Sequence, residues 1–108
     1  MDFIEYNNQA MRTVNPTLNW NELLLNASLG LCGESGEVAD EIKKNAFHGH
    51  ALNEQAIKKE LGDCLWYLNL LADLLGYSLE DIAIANIEKL QKRYPTKFSS
   101  EASLNRKD

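Results

Sequence analysis

The residues of this sequence with the clearest chemical potential are two sets of carboxylates at helical spacing. Glu34, Glu37 and Glu41 follow one another at intervals of three and four residues. Glu60 and Asp63 repeat the interval of three further along the chain. Residues three or four apart share one face of a helix, so each set forms a ridge beside apolar positions. The pattern alone leaves two interpretations open, a divalent metal site and a solvated acidic face.

A metal would resolve an electrostatic problem that these carboxylates create. Several carboxylates that meet in a partly desolvated cleft raise one another's pKa unless a cation lies between them. Oxygen ligands select hard ions such as Mg²⁺ or Mn²⁺. A di-iron bundle would instead carry Glu-x-x-His pairs within its helices, whereas His48 and His50 lie in a loop-like stretch around Gly49. The sequence therefore favours Mg²⁺, with Mn²⁺ as the alternative, over iron.

The last helical segment offers groups that could contact a phosphate ester. Asn86, Lys89 and Arg93 follow Ile82 at spacings of four, three and four, which places them on one helical ridge. The two cations among them, Lys89 and Arg93, could stabilise the negative charge that develops on a leaving phosphate. Lys44, beside the first carboxylate set, is a further substrate-binding candidate, although lysines on solvated faces are common.

Three aromatic residues have two possible roles. Trp20, Trp66 and Tyr67 could stack on a nucleobase, and Trp20 is the substrate-binding candidate among them. Filling the core is the commoner role for such large apolar side chains.

Three glycines surround the first carboxylates in a segment that otherwise has a helical pattern. Gly30, Gly33 and Gly36 each cost roughly 1 kcal/mol relative to alanine inside a helix. Such a local conflict is typical of a functional or tightly packed position. The missing side chains would let a neighbouring helix or a substrate phosphate approach the backbone closely, or they would allow a kink.

Hydrophobic spacing places all of these residues on helices. Apolar residues recur at intervals of three and four, and there is no strand-like alternation, internal repeat or low-complexity tract. Ser78 and Asp81 form a capping-box pattern before the last helix. The second helix is either continuous or kinked at its glycines. We therefore predict an all-α fold of the four-helix-bundle type, with helices over residues 2–14, 19–46, 53–76 and 78–95.

Length and charge narrow the class of protein further. The 108 residues suffice for one domain, predicted over residues 1–95 and followed by a polar tail over 96–108 that is mobile unless something holds it. A net charge of −5 argues against a nucleic-acid surface.

No apolar run approaches the roughly 18 residues of a membrane span, and no targeting segment is evident, so we expect a cytoplasmic protein without membrane contact. Two well-separated cysteines are expected to be reduced core residues.

The third helix is more apolar than a single small domain requires. In CLWYLNLLADLL, residues 64–75, apolar side chains point in nearly every direction around the helix axis. A lone four-helix domain cannot bury all of them. The sequence therefore predicts a partner subunit, in a homodimer or a homotetramer built as a dimer of dimers.

Three sequence stretches resemble a known family. GESGEVADEIKK, KKELGDCLWYLNLLADLLG and IAIANIEKLQKRYP are similar to the MazG-like members of the all-α nucleoside triphosphate pyrophosphohydrolase superfamily. The resemblance covers roughly residues 20–95. The family signature is ExxE on one helix and ExxD on the next, and this chain carries it as Glu34, Glu37, Glu60 and Asp63.

The resemblance implies an activity and a role for each of these residues. The expected reaction is hydrolysis of a nucleoside triphosphate to the monophosphate and pyrophosphate, with Mg²⁺ held by the four signature carboxylates. Glu41 is a weaker candidate for polarising the attacking water. The last helix, with Asn86, Lys89 and Arg93, resembles the substrate side of the family site, and the family functions at least as a dimer.

Other functions stay open at this level. The chain could hydrolyse a specialised nucleotide such as a phosphoribosyl-nucleotide, or it could be a non-enzymatic acidic dimer that senses a nucleotide or binds a basic protein. The intact signature favours an enzyme. No residue set identifies a preferred base or sugar, and house-cleaning of the nucleotide pool is an expectation from the family.

Overall fold

The computed structural model describes residues 1–106, and the regular structure within them is entirely helical. This confirms the predicted all-α class. The helices begin and end within a few residues of the predicted bounds, and one further short helix lies in the predicted tail. The elements are α1 (Phe3–Met11), α2 (Trp20–Phe47), α3 (Glu54–Leu74), α4 (Leu79–Arg93) and α5 (Ser100–Leu104).

Local capping explains where the long helices begin and end. Asn19 and Glu22 form a reciprocal capping box at the start of α2, and the Asn53 side chain accepts a hydrogen bond from the Ala56 N–H at the start of α3. The predicted capping box of Ser78 precedes α4. Gly76, with φ of 83°, supplies the left-handed conformation that separates α3 from α4.

Helices α2 and α3 form an antiparallel pair that carries most of the packing. The Trp20 indole N–H donates to the Leu74 carbonyl at 3.1 Å at one end, and Ser35 Oγ lies 3.8 Å from Cys64 Sγ further along. Helix α2 runs unbroken for 28 residues through its glycines. The continuous alternative is therefore confirmed, and the pair brings the two predicted carboxylate ridges side by side.

Little of this chain is enclosed by its own helices. A compact protein of this mass exposes about 6,100 Å², whereas this chain exposes 8045 Å². Its radius of gyration is 17.1 Å, against about 13 Å for a compact chain of equal length. Helix α4 is open to solvent, with Ile82, Ile84 and Ile87 exposed by 39%, 50% and 53%. The buried apolar residues among residues 1–106 are Ala10, Ala27, Leu70, Ala72 and Leu79.

The short helix α5 follows α4 within the predicted tail. The side chain of Ser99 caps this helix by accepting a hydrogen bond from the Ala102 N–H at 3.1 Å, and the rings of Tyr94 and Phe98 lie 5.2 Å apart. The predicted tail continues to residue 108, and its last two residues lie outside the described part. Within residues 1–106, none of the helices is both long enough and apolar enough to cross a bilayer.

Candidate metal centre

Three of the predicted carboxylates converge between α2 and α3. Glu34 comes from the middle of α2, and Glu60 and Asp63 come from the first half of α3. One carboxylate oxygen from each lies within 4.8 Å of the others. Glu34 and Glu60 are half-buried, whereas Asp63 is exposed. Spacing within each helix aligns the side chains, and antiparallel pairing of the helices brings the two ridges together.

The contact between Glu34 and Glu60 disfavours the ionised form of Glu60 when no cation lies between them. Glu60 hydrogen bonds to Glu34, and this contact, with partial burial and the negative charge of Glu34, raises the pKa of Glu60. A raised pKa means that the ionised form of Glu60 is disfavoured beside its neighbour. A bound divalent cation would remove that penalty, and three hard oxygen donors from two rigid helices suit Mg²⁺ or Mn²⁺. The residues present therefore fit a divalent metal.

Aromatic side chains line the other walls of this cleft. Glu34, Asp63, Trp66 and Tyr67 enclose a volume of about 330 Å³. The two rings meet edge to face at 5.0 Å, with an interplanar angle of 89°. Sequence reasoning favoured core packing for these aromatics; in the structure both are half-buried and face the carboxylates. We name this space, bounded by Glu34, Asp63, Trp66 and Tyr67, the acidic cleft.

The glycines of α2 differ from one another in what surrounds them. A side chain at Gly30 would overlap the ring of Tyr67, which packs directly against the α2 backbone there. A side chain at Gly33 or Gly36 would meet open space. Close helix packing therefore accounts for Gly30, while the other two leave the surface of α2 free beside Glu34.

The remaining carboxylates of α2 lie beyond the cluster. Glu37 is exposed and does not belong to the group of three. Glu41 is half-buried and follows Glu34 by two turns, about 10 Å along the axis. Lys44 forms an ion pair with Asp40 at 3.1 Å. This contact is the main reason why the pKa of Lys44 is raised, and the charges of Glu41 and Glu37 add smaller effects.

The predicted substrate-binding residues lie outside the lining of the acidic cleft. Trp20 is near the start of α2, about 21 Å from Glu34 along the helix axis. Asn86 and Lys89 are exposed on α4. Arg93 is half-buried at the end of α4, with its guanidinium carbon 5.9 Å from the centre of the Tyr94 ring.

Sequence reasoning missed the contribution of α1 to this region. Burial, and secondarily the charge of Asp63, raises the pKa of the Tyr6 phenol, so α1 lies within electrostatic reach of the carboxylates. A signal was present in α3: Asn69 interrupts an apolar run, is 1% exposed, and donates to the Asn7 side chain at 2.9 Å. A buried amide in such a run indicates a specific partner.

Comparison with known proteins gives a family and two relatives. The MazG nucleotide pyrophosphohydrolase domain matches residues 24–98. The chain is 36% identical over 70 residues to the Gene 37 protein of Mycobacterium phage L5, covering 61% of each protein. It is 43% identical over 44 residues to the uncharacterized protein YvdC of Bacillus subtilis (strain 168), covering 41% of this chain and 42% of YvdC. The matches thus span about three fifths or less of these relatives. No solved structure matches the chain significantly.

Proposed function

Since the chain belongs to the MazG nucleotide pyrophosphohydrolase domain family, we propose that it hydrolyses ribo- or deoxyribonucleoside triphosphates to the monophosphate and pyrophosphate. Removal of unwanted nucleotides from the pool is the proposed role. The observation that carries the proposal is the convergence of Glu34, Glu60 and Asp63 within 4.8 Å beside an aromatic wall. Such an arrangement suits a metal-bound polyphosphate attached to a flat base.

Members of this family generally depend on a divalent metal, and the acidic cleft has the donors for one. Glu34, Glu60 and Asp63 would hold Mg²⁺, or Mn²⁺, with Glu37 as a fourth ligand on the exposed side of α2. When bound, the ion supplies charge neutralisation of the triphosphate and acidifies coordinated water. The rigid pairing of α2 and α3 keeps the carboxylates at fixed positions, which limits the reorganisation needed during reaction.

The other proposed roles follow the charges along α2 and α4. Glu41 would accept a proton from the attacking water. Asn86, Lys89 and Arg93 would contact the phosphates, and their cations would stabilise negative charge on the leaving pyrophosphate. Lys44 is held by Asp40, so its contribution would be to the local potential more than to a direct phosphate contact. Trp20 remains a candidate for contact with the base.

A second copy of the chain is the proposed partner. The surface of one chain exceeds that of a compact monomer by about 2,000 Å², and an obligate interface buries about that area or more in total. Leucines Leu25 and Leu29, one turn apart on α2, are exposed by 61% and 70%. A second copy that covered them and α4 would complete a helical bundle. Sedimentation at micromolar concentration should give a homodimer or homotetramer, and a stable monomer would contradict this proposal.

Pyrophosphate release from a panel of nucleotides tests the activity. The panel contains canonical and modified ribo- and deoxyribonucleoside triphosphates, each assayed with Mg²⁺, Mn²⁺ or EDTA. We expect equal amounts of pyrophosphate and monophosphate with metal and none with EDTA. Release of orthophosphate instead would contradict the proposed bond cleavage. Absence of turnover by folded protein would contradict hydrolysis of these nucleotides and direct attention to a specialised substrate or a binding role.

A further inference from the structure

Helix α1 is attached to α3 by directional hydrogen bonds more than by apolar burial. Phe3 and Ile4 are exposed by 45% and 66%, and Ala10 is the one buried residue of this helix. By contrast, the buried Asn69 amide of α3 donates to Asn7 Oδ1 of α1 at 2.9 Å. Hydrogen bonds have narrow geometric requirements. The contacts between α1 and α3 therefore define a register and an orientation.

The end of α1 and the turn that follows it hold the indole of Trp66. The Trp66 Nε1–H donates to Thr13 Oγ1 at 2.9 Å and to the Ala10 carbonyl at 3.2 Å. The Thr13 hydroxyl in turn donates to the same Ala10 carbonyl at 2.6 Å. An indole has a single N–H donor. Its hydrogen-bonding capacity is thus used on α1, and the ring is left to form the wall of the acidic cleft.

This anchor fixes a group that sits next to the carboxylates. Trp66 borders the acidic cleft together with Glu34 and Asp63, and its ring meets Tyr67 edge to face. Tyr67 is itself seated on the backbone at Gly30. The aromatic wall is therefore held from two directions, by α2 through Tyr67 and by α1 through Trp66.

We propose that Thr13 is a positioning residue of the acidic cleft: by fixing the Trp66 indole through α1, it sets the wall against which the bound nucleotide packs. Helix α1 and Thr13 precede the stretch that matches the family domain, residues 24–98. The proposal rests on the proposed nucleotide hydrolysis. Tyr6 of α1 and Leu65 of α3, the neighbour of Trp66, line a common pocket, which supports the placement of α1 along this part of α3.

Kinetics of three variants test this positioning role. Thr13→Val removes the hydroxyl and keeps the shape, and Thr13→Ser keeps the hydroxyl. Thr17→Val removes a hydroxyl that, among residues 1–106, donates to the Asn15 side chain. Loss of one neutral hydrogen bond corresponds to about a two- to tenfold effect. We expect Thr13→Val to raise KM by this factor with kcat within about twofold of the parent. Thr13→Ser and Thr17→Val should behave like the parent.

A second readout requires no turnover and so separates this proposal from the proposed activity. Trp20 and Trp66 are the only tryptophans, so Trp20→Phe leaves Trp66 as the sole indole fluorophore. In that background, Thr13→Val should increase acrylamide quenching of Trp66, and Thr17→Val should not. An inactive parent with this quenching difference would contradict the hydrolysis and leave the anchor of Trp66 supported.

Two kinetic results would overturn the positioning role. One is equal KM for Thr13→Val and Thr17→Val. The other is a fall in kcat of Thr13→Val in proportion to its loss of folded protein, because a merely structural role predicts fewer active molecules with unchanged KM. Unchanged Trp66 quenching in Thr13→Val would likewise contradict the proposed anchor, whatever the activity of the parent.

Discussion

The two halves of the α2–α3 pair perform different tasks with the same backbone arrangement. Toward the Trp20 and Leu74 end, Ala27 and Leu70 are almost completely buried. Toward the other end, the carboxylates of Glu34 and Glu60 lie close together, and their contact raises the pKa of Glu60. Gly30 and Tyr67 lie at the boundary. The apolar half therefore stabilises the folded chain, whereas the acidic half does not do so while no cation is bound.

The substitution with the largest expected effect on activity lies in the acidic half of the α2–α3 pair. Asp63→Ala removes one oxygen donor of the cluster, and we expect at least about a 100-fold loss of kcat/KM, since even the loss of a group that only orients a metal ligand costs 10- to 100-fold. Asp73→Ala is the matched control, because Asp73 is exposed on the same helix in the apolar half. Steady-state pyrophosphate release measures both. Similar activity of the two variants would contradict the assignment of Asp63.

The next largest expected effect is on stability and comes from a substitution in the apolar half. Leu70→Ala leaves a cavity at a side chain that is 2% exposed, and we expect the free energy of unfolding to fall by about 2–5 kcal/mol. Leu61→Ala is the control in the acidic half, where the leucine is 55% exposed and the expected loss is within about 0.5 kcal/mol. Urea denaturation followed by circular dichroism measures both. Equal losses would show that the halves do not differ as described.

A smaller effect tests the boundary between the halves. Gly30→Ala forces Tyr67 to move, so we expect destabilisation by about 1–3 kcal/mol. Gly33→Ala meets open space, and its higher helix propensity should stabilise the protein by up to about 1 kcal/mol. Thermal unfolding without metal measures both. Opposite signs for the two alanines are expected, and a stabilising Gly30→Ala would contradict the close contact with Tyr67.

The smallest expected effect is on how the stability of the acidic half depends on pH. The folded-state pKa of Glu60 is raised, so its contribution to stability is complete below the unfolded-state pKa and is lost as pH rises through the folded-state value. Glu60→Gln removes this titration. In EDTA we therefore expect similar stability of variant and parent near pH 4, and a more stable variant near pH 7.

Thermal unfolding in EDTA at several pH values measures this difference. Addition of Mg²⁺ at neutral pH should stabilise the parent more than Glu60→Gln, because the parent offers one more anionic donor. Parallel pH profiles for the two proteins would exclude Glu60 as the source of the effect.

Much of the fold was predictable because its determinants are local. Capping residues such as Asn19 and Ser78 and the apolar spacing define where α2, α3 and α4 begin and end. The carboxylate ridges were predictable for the same reason, since helical spacing aligns Glu34 with Glu37 and Glu60 with Asp63. Helix α5 was not predicted, because five residues of polar composition carry no periodic signal.

The features that escaped prediction depend on how helices are rotated and docked. Spacing cannot tell which carboxylates converge, and Glu37 lies outside the group of three although it is one turn from Glu34. Likewise, the seat of Tyr67 on Gly30 and the bond between Trp66 and Thr13 join residues 37 and 53 positions apart. Such contacts are decided by tertiary packing, and the local hints of close packing were Gly30 on α2 and the buried Asn69 on α3.

The large surface that one chain leaves open has a consequence for how the protein behaves on dilution. Uncovered apolar side chains such as Leu25 and Leu29 are the kind of surface that chaperones and proteases recognise. If a second copy covers them, as proposed, stability would follow mass action and the melting temperature would rise with protein concentration. Dilute chains would then be degraded first, and the amount of active protein in a cell would increase more steeply than its rate of synthesis.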